Sequence, residues 1–308
     1  MYRYLPCIRN APATAGREER MKEKARKAAT SKKPAKVKVN AKGKGAAKKS
    51  AAVKSAPLKR KIALIAGASG LTGGHLLGFL LESRYYAEVH ALVRRPLGIT
   101  HPRYREHVVD FDRPETYRKF AKVDDVFCTL GTTIKKAGSQ EEFYKVDFIY
   151  AITVAREAAL KGAARLFIVT ALGANAKSRI FYNRVKGEVE EASRLLPFKS
   201  IHVFRPSLLL GERGEVRTAE KIGSALARAL TPLMAGPLRA WRAVEAQAVA
   251  WAMLHAAVSV SVSDHPGGVI ESREIQEVWE GREGGEGYGL IPPRYDYERD
   301  LLIVPYGE

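Results

Sequence analysis

The stretch "KIALIAGASGLTGGHLLGFLLES", Lys61 to Ser83, decides the fold. Its first six residues form an apolar run of strand length, and its last thirteen carry the apolar spacing of a helix. Between them Gly67, Gly70 and Gly73 stand at spacing GxxGxxG, directly after the strand and at the opening of the helix. The chemistry of a phosphate loop needs that context. The first glycine admits a tight turn, the second lets backbone approach a pyrophosphate, and the third lets the helix pack on the sheet. Free N–H groups at the helix start can then hold the phosphates, with Ser69, Leu71 and Thr72 completing the loop. A glycine triplet alone is as often a packing turn; the order strand, glycines, helix is what points to a dinucleotide. Ser69 is followed at once by Gly70, so there is no GxSxG elbow and a serine-hydrolase reading has no support.

Outward from this unit the same alternation continues. Strands are expected at 61–66, 88–95, 105–112, 124–130, 165–171 and 199–209, with a short last one at "GGVIE" (267–271). Helices are expected at 71–83, 139–162 and 183–196, with a short one near "PETYRKFA". Apolar strands alternating with helices imply an α/β fold: a Rossmann-type doubly wound parallel sheet, covered on both faces. After Leu210 the text becomes helical, "TAEKIGSALARALTPL" and "AVEAQAVAWAMLHAAV", and reads as a small, mostly helical C-terminal substrate-binding part. The expected organisation is a basic tail over 1–58, a nucleotide-binding domain over 59–276 with its substrate lobe from about 207, and an acidic, Gly-rich appendix over 277–308.

The net charge of +19 is unevenly placed. Residues 1–61 hold 20 Lys/Arg against 3 acids, whereas residues 271–308 hold 4 against 10. The Lys/Ala-rich segment has too few large apolar side chains to offset the entropy of ordering and reads as disordered. It is a solvated tail or a polycation that binds nucleic acid or an acidic partner without sequence preference, at roughly 10⁻⁴–10⁻⁶ M. A mitochondrial presequence is a third reading, weakened by the Lys bias and the lack of an amphipathic face. Met21 is an alternative start. Cys7 and Cys128 form no CxxC pair, which argues against a disulfide framework or zinc knuckle; Cys128 reads as a small core residue. Histidines show no metal-ligand spacing, no metal is expected, and no apolar run reaches the roughly 18 residues of a spanning helix. These features predict a soluble, cytoplasmic protein without membrane contact.

Cofactor choice is read where the second strand ends. "LVRRP" places Arg94 and Arg95 there with no acid, which favours the 2′-phosphate of NADP over the ribose 2′-OH of NAD. Asp110 and Phe111, ending "VVDFD", are placed to border the adenine or to be an ordinary strand terminus. Leu130, Gly131 and Thr132 end the fourth strand where a dinucleotide would cross the sheet edge.

In "FIVTALGANAKSRIFYNRVKGEVE" (167–190), Tyr182 and Lys186 lie four apart on an expected helix and so share a face. A YxxxK string occurs by chance in a chain of this composition, so its placement must carry it. The ammonium can stabilise a tyrosinate and hold a ribose, and Thr170, twelve residues before Tyr182, offers a hydroxyl for a substrate carbonyl. Ser178 is a weaker rival for that role.

The glycine loop followed by Thr, Tyr and Lys resembles the short-chain dehydrogenase/reductase superfamily. "VVDF", "FCTLGTT", "KKAG", "VD", "ALGANAKSRIFYNRVKGEVE" and "VFRPSLLLGER" are similar to its atypical branch of Tat-interactive-protein-like oxidoreductases, over roughly 61–276. The resemblance implies an NADPH-dependent reductase of a small carbonyl substrate. Gly67, Gly70, Gly73, Arg94 and Arg95 would be cofactor contacts and Tyr182 with Lys186 the catalytic pair. Thr170 would take the superfamily's serine place, and Arg205, Pro206 and Ser207 would lie along the nicotinamide. The alternative is a protein that binds NADP(H) as a structural or redox-sensing ligand without turnover.

Overall fold

The computed structural model describes residues 60–210, 242–259 and 266–281, together with the backbone of 294–296 and 301–303. The expected tail over 1–58, the helical text of 211–241 and most of the acidic appendix lie outside the described residues.

In chain order the first half comprises β1 (Lys61–Ala66), α1 (Leu71–Glu82), β2 (Tyr86–Val93), β3 (Tyr104–Val108) and β4 (Asp125–Cys128). Then come α2 (Ile134–Ala137), α3 (Gln140–Tyr144), a π-helix (Lys145–Tyr150) and α4 (Ala151–Leu160). The second half adds β5 (Arg165–Val169), α5 (Phe181–Arg194), β6 (Ser200–Arg205) and β7 (Leu209–Leu210). It continues with β8 (Val244–Glu245), α6 (Ala246–Ser259), β9 (Gly267–Glu271) and α7 (Ser272–Glu280). Seven strands pair in parallel in the order β3-β2-β1-β4-β5-β6-β9, which is the doubly wound sheet expected from the alternating pattern. The order reverses between β1 and β4, so a crevice opens at the carboxyl ends of those two strands.

Both faces of the sheet are covered, which is why its central strands read as unbroken apolar runs. On one face Leu76, Phe79 and Leu80 of α1 pack with Val249, Met253 and Leu254 of α6, and Phe79 meets Trp251 edge to face at 5.4 Å. On the other, Val154, Ala155 and Ala158 of α4 and Val189 of α5 cover Leu64, Val126 and Ile168. Each fully buried Val, Leu, Ile, Phe or Met among them contributes about 1.5–3 kcal/mol. Helix α6, read from the sequence as C-terminal substrate-binding text, is therefore a layer of the central sandwich. At the amino edge of the sheet Arg165 is 1% exposed and grips Asp125, which also accepts the Tyr86 hydroxyl at 2.7 Å.

Several expected elements differ in extent. β3 stops at Val108 rather than 112, because Asp110 accepts the Asp112 N–H at 2.9 Å and starts a turn. The short helix after it is two 3₁₀ turns, Pro114–Thr116 and Arg118–Phe120. β6 ends at Arg205 because Pro206 has no N–H to continue the ladder, and the chain re-pairs as β7 with β8. The helix expected over 139–162 is interrupted by the π-turn at Lys145–Tyr150.

Candidate active site

The glycine loop leaves β1 through Gly67, whose φ of +98° only glycine adopts cheaply. A Cβ on Gly67 would stand 2.7 Å from the Thr129 carbonyl, and one on Gly73 only 2.0 Å from the Gly67 oxygen. Loop, helix start and β4 end are thus pressed together. Thr129, which the sequence reading passed over, locks the contact by donating its hydroxyl to Ala66 O at 3.1 Å. Gly70 caps α1 without a side-chain hydrogen bond, and no acid stands in the first turn. The first backbone N–H groups of the helix are left to a phosphate. Ser69 and Gly70 are exposed, Leu71 is half-buried and Thr72 is buried.

Arg94 and Arg95 follow β2 at the same edge, both exposed and with no ion pair among the described residues. Asp110 is exposed, but the Phe111 ring is buried in the core, 5.5 Å from Tyr150 and 5.9 Å from Tyr117. Its side chain therefore packs inward and is a core residue, so only its backbone is left to face the crevice. Leu130 is half-buried, while Gly131 is exposed at the crevice.

Tyr182 and Lys186 sit on α5, where the i, i+4 spacing turns both the same way. The Tyr182 ring lies 5.7 Å from Phe143. Lys186 is 5% exposed, and its Nζ stands 2.6 Å from Asp147 Oδ1, an ion pair off the line of a hydrogen bond. Burial works against the ammonium, but the Asp147 carboxylate and then Tyr182 outweigh it and hold its pKa above the ordinary lysine value. The other Asp147 oxygen accepts the Thr132 N–H at 2.8 Å. Asp147 is the functional residue that the sequence reading missed, although its "VD" was among the resembling strings. Cys128 is buried, which pushes its thiol up to about 11 and leaves it a core side chain.

Other candidate side chains already have partners. Thr170 is 4% exposed and donates its hydroxyl to Glu190 Oε1 at 2.8 Å. That hydroxyl is a tie between β5 and α5 and is not presented to a carbonyl. Arg205 spends its guanidinium on both Glu190 oxygens, at 2.8 and 2.6 Å, and on Glu271 at 2.9 Å. Pro206 accepts the Leu172 N–H, and Ser207 donates to the Arg242 carbonyl. The RPS segment accordingly braces β6 against α5, α7 and the segment before β8. Ser178 accepts the Ile180 N–H at 3.1 Å. A cavity of about 240 Å³ is bounded by Asn175, Gly187, Glu190, Arg194 and Arg205, and neither Tyr182 nor Lys186 lines it.

A family model described as NAD(P)H-binding matches residues 67–194. The mitochondrial protein FMP52 of Eremothecium gossypii is 38% identical over 151 residues, covering 49% of this chain and 67% of that one. The protein HTATIP2 of Rattus norvegicus is 36% identical over 167 residues, covering 53% and 69%. Among solved structures, a short-chain type dehydrogenase/reductase from Mycobacterium ulcerans superposes with a TM-score of 0.53 at 14% identity, covering 71% and 90%. That likeness concerns the fold. FMP52 relatives from several fungi are named mitochondrial, which overturns the expectation of a cytoplasmic protein.

Proposed function

The chain belongs to the atypical short-chain dehydrogenase/reductase family of FMP52 and HTATIP2, and we propose that it is an NADPH-dependent reductase of a carbonyl substrate. The observation that carries the reading is the Tyr182–Lys186 pair on one face of α5, its ammonium held charged beside the Gly131 loop. The residues present fit a dinucleotide: a loop too tight for any side chain at Gly67 and Gly73, and a helix start free of capping side chains. Arg94 and Arg95 support NADPH over NADH, since they are exposed cations with no acid beside them to hold a ribose 2′-OH.

Bound NADPH would supply the hydride to the carbonyl carbon. Tyr182 Oη gives its proton to the carbonyl oxygen, and Lys186 compensates the negative charge left on the phenolate until solvent reprotonates it. Glycines and helix N–H groups would hold the pyrophosphate, while Arg94 and Arg95 would hold the 2′-phosphate.

A second reading, a protein that binds NADP(H) without turnover, is favoured by one observation: the Thr170 hydroxyl is committed to Glu190. NADPH oxidation against a panel of aldehydes, ketones and quinones separates the two. Turnover by wild type and loss of about 10²-fold or more in Tyr182→Phe supports the reductase. No turnover by either protein, with NADPH still bound, leaves only the binding reading. For the basic segment we retain weak polyanion binding, tested by salt-dependent DNA affinity of the full chain against one starting at Leu58.

A further inference from the structure

We propose that the site around Tyr182 takes an amphipathic anion: as substrate, an aldehyde or ketone whose apolar body ends in a carboxylate. The substrate class rests on the reading of Tyr182 and Lys186 as the pair of a reductase. The carboxylate passes through the reaction unchanged. NADPH gives the hydride and Tyr182 the proton, and the products are a hydroxy acid and NADP⁺.

Two banks flank Tyr182 at the carboxyl edge of the sheet. One is the loop after β4 with the short helix α2, and the other is the segment after β5 that leads into α5. Phe143 of α3 stands between them, its ring 5.7 Å from both Phe181 and Tyr182. Each bank exposes an isoleucine: Ile134, at the start of α2, is 40% exposed, and Ile180, two residues before Tyr182, is 62% exposed. Single exposed apolar side chains are ordinary. This pair is set apart because both stand on the loops that border one hydroxyl.

Each isoleucine has cations beside it. Lys135 and Lys136 follow Ile134, and Arg179 precedes Ile180; all three are exposed, with no ion pair among the described residues. The Arg184 guanidinium donates to the Ser178 carbonyl at 3.1 Å and lies over the Phe181 ring, which adds its charge to the second bank. Neither bank holds an acid, since there is no Asp or Glu over 129–140 or over 170–187. Glu141 and Glu142 come next, in the first turn of α3, where the helix dipole favours them. Cations set among apolar walls focus their field on an anion. A neutral apolar substrate would leave the cations unused, and a small polar anion would leave the isoleucines unused. Arg94 and Arg95 are not shared with this site. They follow β2, which lies two and three strand spacings from β4 and β5, roughly 10 and 14 Å, so 2′-phosphate and substrate carboxylate have separate cations.

The test compares the full chain with a triple variant at the three exposed cations, Lys135→Gln, Lys136→Gln and Arg179→Gln. The basic segment over 1–61 is the same in both proteins, so its own affinity for anions cancels. Calorimetric titration measures octanoate, 1-octanol and butyrate as unreactive probes, with NADPH present in excess. Octanoate should bind about tenfold tighter than 1-octanol, which lacks the charge, and than butyrate, which lacks the body. In the triple variant octanoate should fall to within about twofold of 1-octanol. Undetectable octanoate, equal affinity for octanoate and either control, or an unchanged preference in the variant overturns the inference. Turnover is measured with 9-oxononanoate and its methyl ester. The acid should exceed the ester about tenfold in kcat/KM, and the triple variant should lose that ratio. Equal kcat/KM for acid and ester overturns the substrate class and leaves the reductase standing. Octanoate bound as expected, with no aldehyde or ketone reduced, sinks the reductase and supports the anion site as that of a binding protein.

Discussion

Thr170 donates its hydroxyl to Glu190, twenty residues further on, and both groups are buried. Glu190 also takes two bonds from Arg205, so one carboxylate joins β5, α5 and β6. Thr170→Ser keeps the donor and should cost little. Thr170→Val keeps the shape but removes the donor, and should cost about 1–3 kcal/mol. Urea unfolding measures both. If Thr170→Val abolished turnover while leaving stability intact, a direct role on substrate would be restored.

The arginines after β2 make a separate prediction. Arg94→Ala with Arg95→Ala should weaken NADPH by about tenfold or more and NADH by much less, because only NADPH carries the 2′-phosphate. Binding titrations with the two cofactors check this. Equal losses would mean that the pair does not read the phosphate.

At the opposite edge, Arg165 donates to Asp125 and to the Ala257 carbonyl, and so ties β4, β5 and α6 together. Arg165→Met should destabilise the fold by about 3–5 kcal/mol, because Asp125 would be left buried without its main counter-charge. Adding Asp125→Leu to that variant should recover part of the loss. Chemical denaturation of the single and double variants provides the comparison.

His107 stacks on Phe120 with centroids 3.6 Å apart, and its Nε2 stands 3.1 Å from His90 Nδ1. Burial first, then His90 and Lys119, push its pKa down to about 4. The unfolded chain therefore takes up a proton near the ordinary histidine value while the folded one refuses it. Stability should be fully present at neutral pH and fall as pH drops from about 6.5 towards 4. His107→Phe, which keeps the stacking surface, should flatten that part of the stability–pH curve measured by thermal unfolding.

The frame was legible because its signals are local. β1 and β9 are apolar runs read at their observed bounds, and the glycines sit where the turn needs them. What was hidden depends on partners remote in sequence. A strand-end hydroxyl looks free until Glu190 arrives from the next helix, and Arg205 looks free until Glu271 does. Phe111 follows a strand with the spacing of a rim residue, yet Tyr117 and Tyr150 draw it inward. Asp147 was invisible for a different reason. In a regular helix it is one acid on a polar face, and only the widened turn aims it at Lys186.

That widened turn makes residue count matter more than residue type. A π-turn is an α-helix holding one extra residue, and each residue of an α-helix advances the chain by about 100°. Deleting any single position within 145–150 would relax the helix to regular geometry, with every other side chain still in the protein. The carboxylate would then swing away from its lysine. A one-codon gap at this place should be as damaging as losing the aspartate itself.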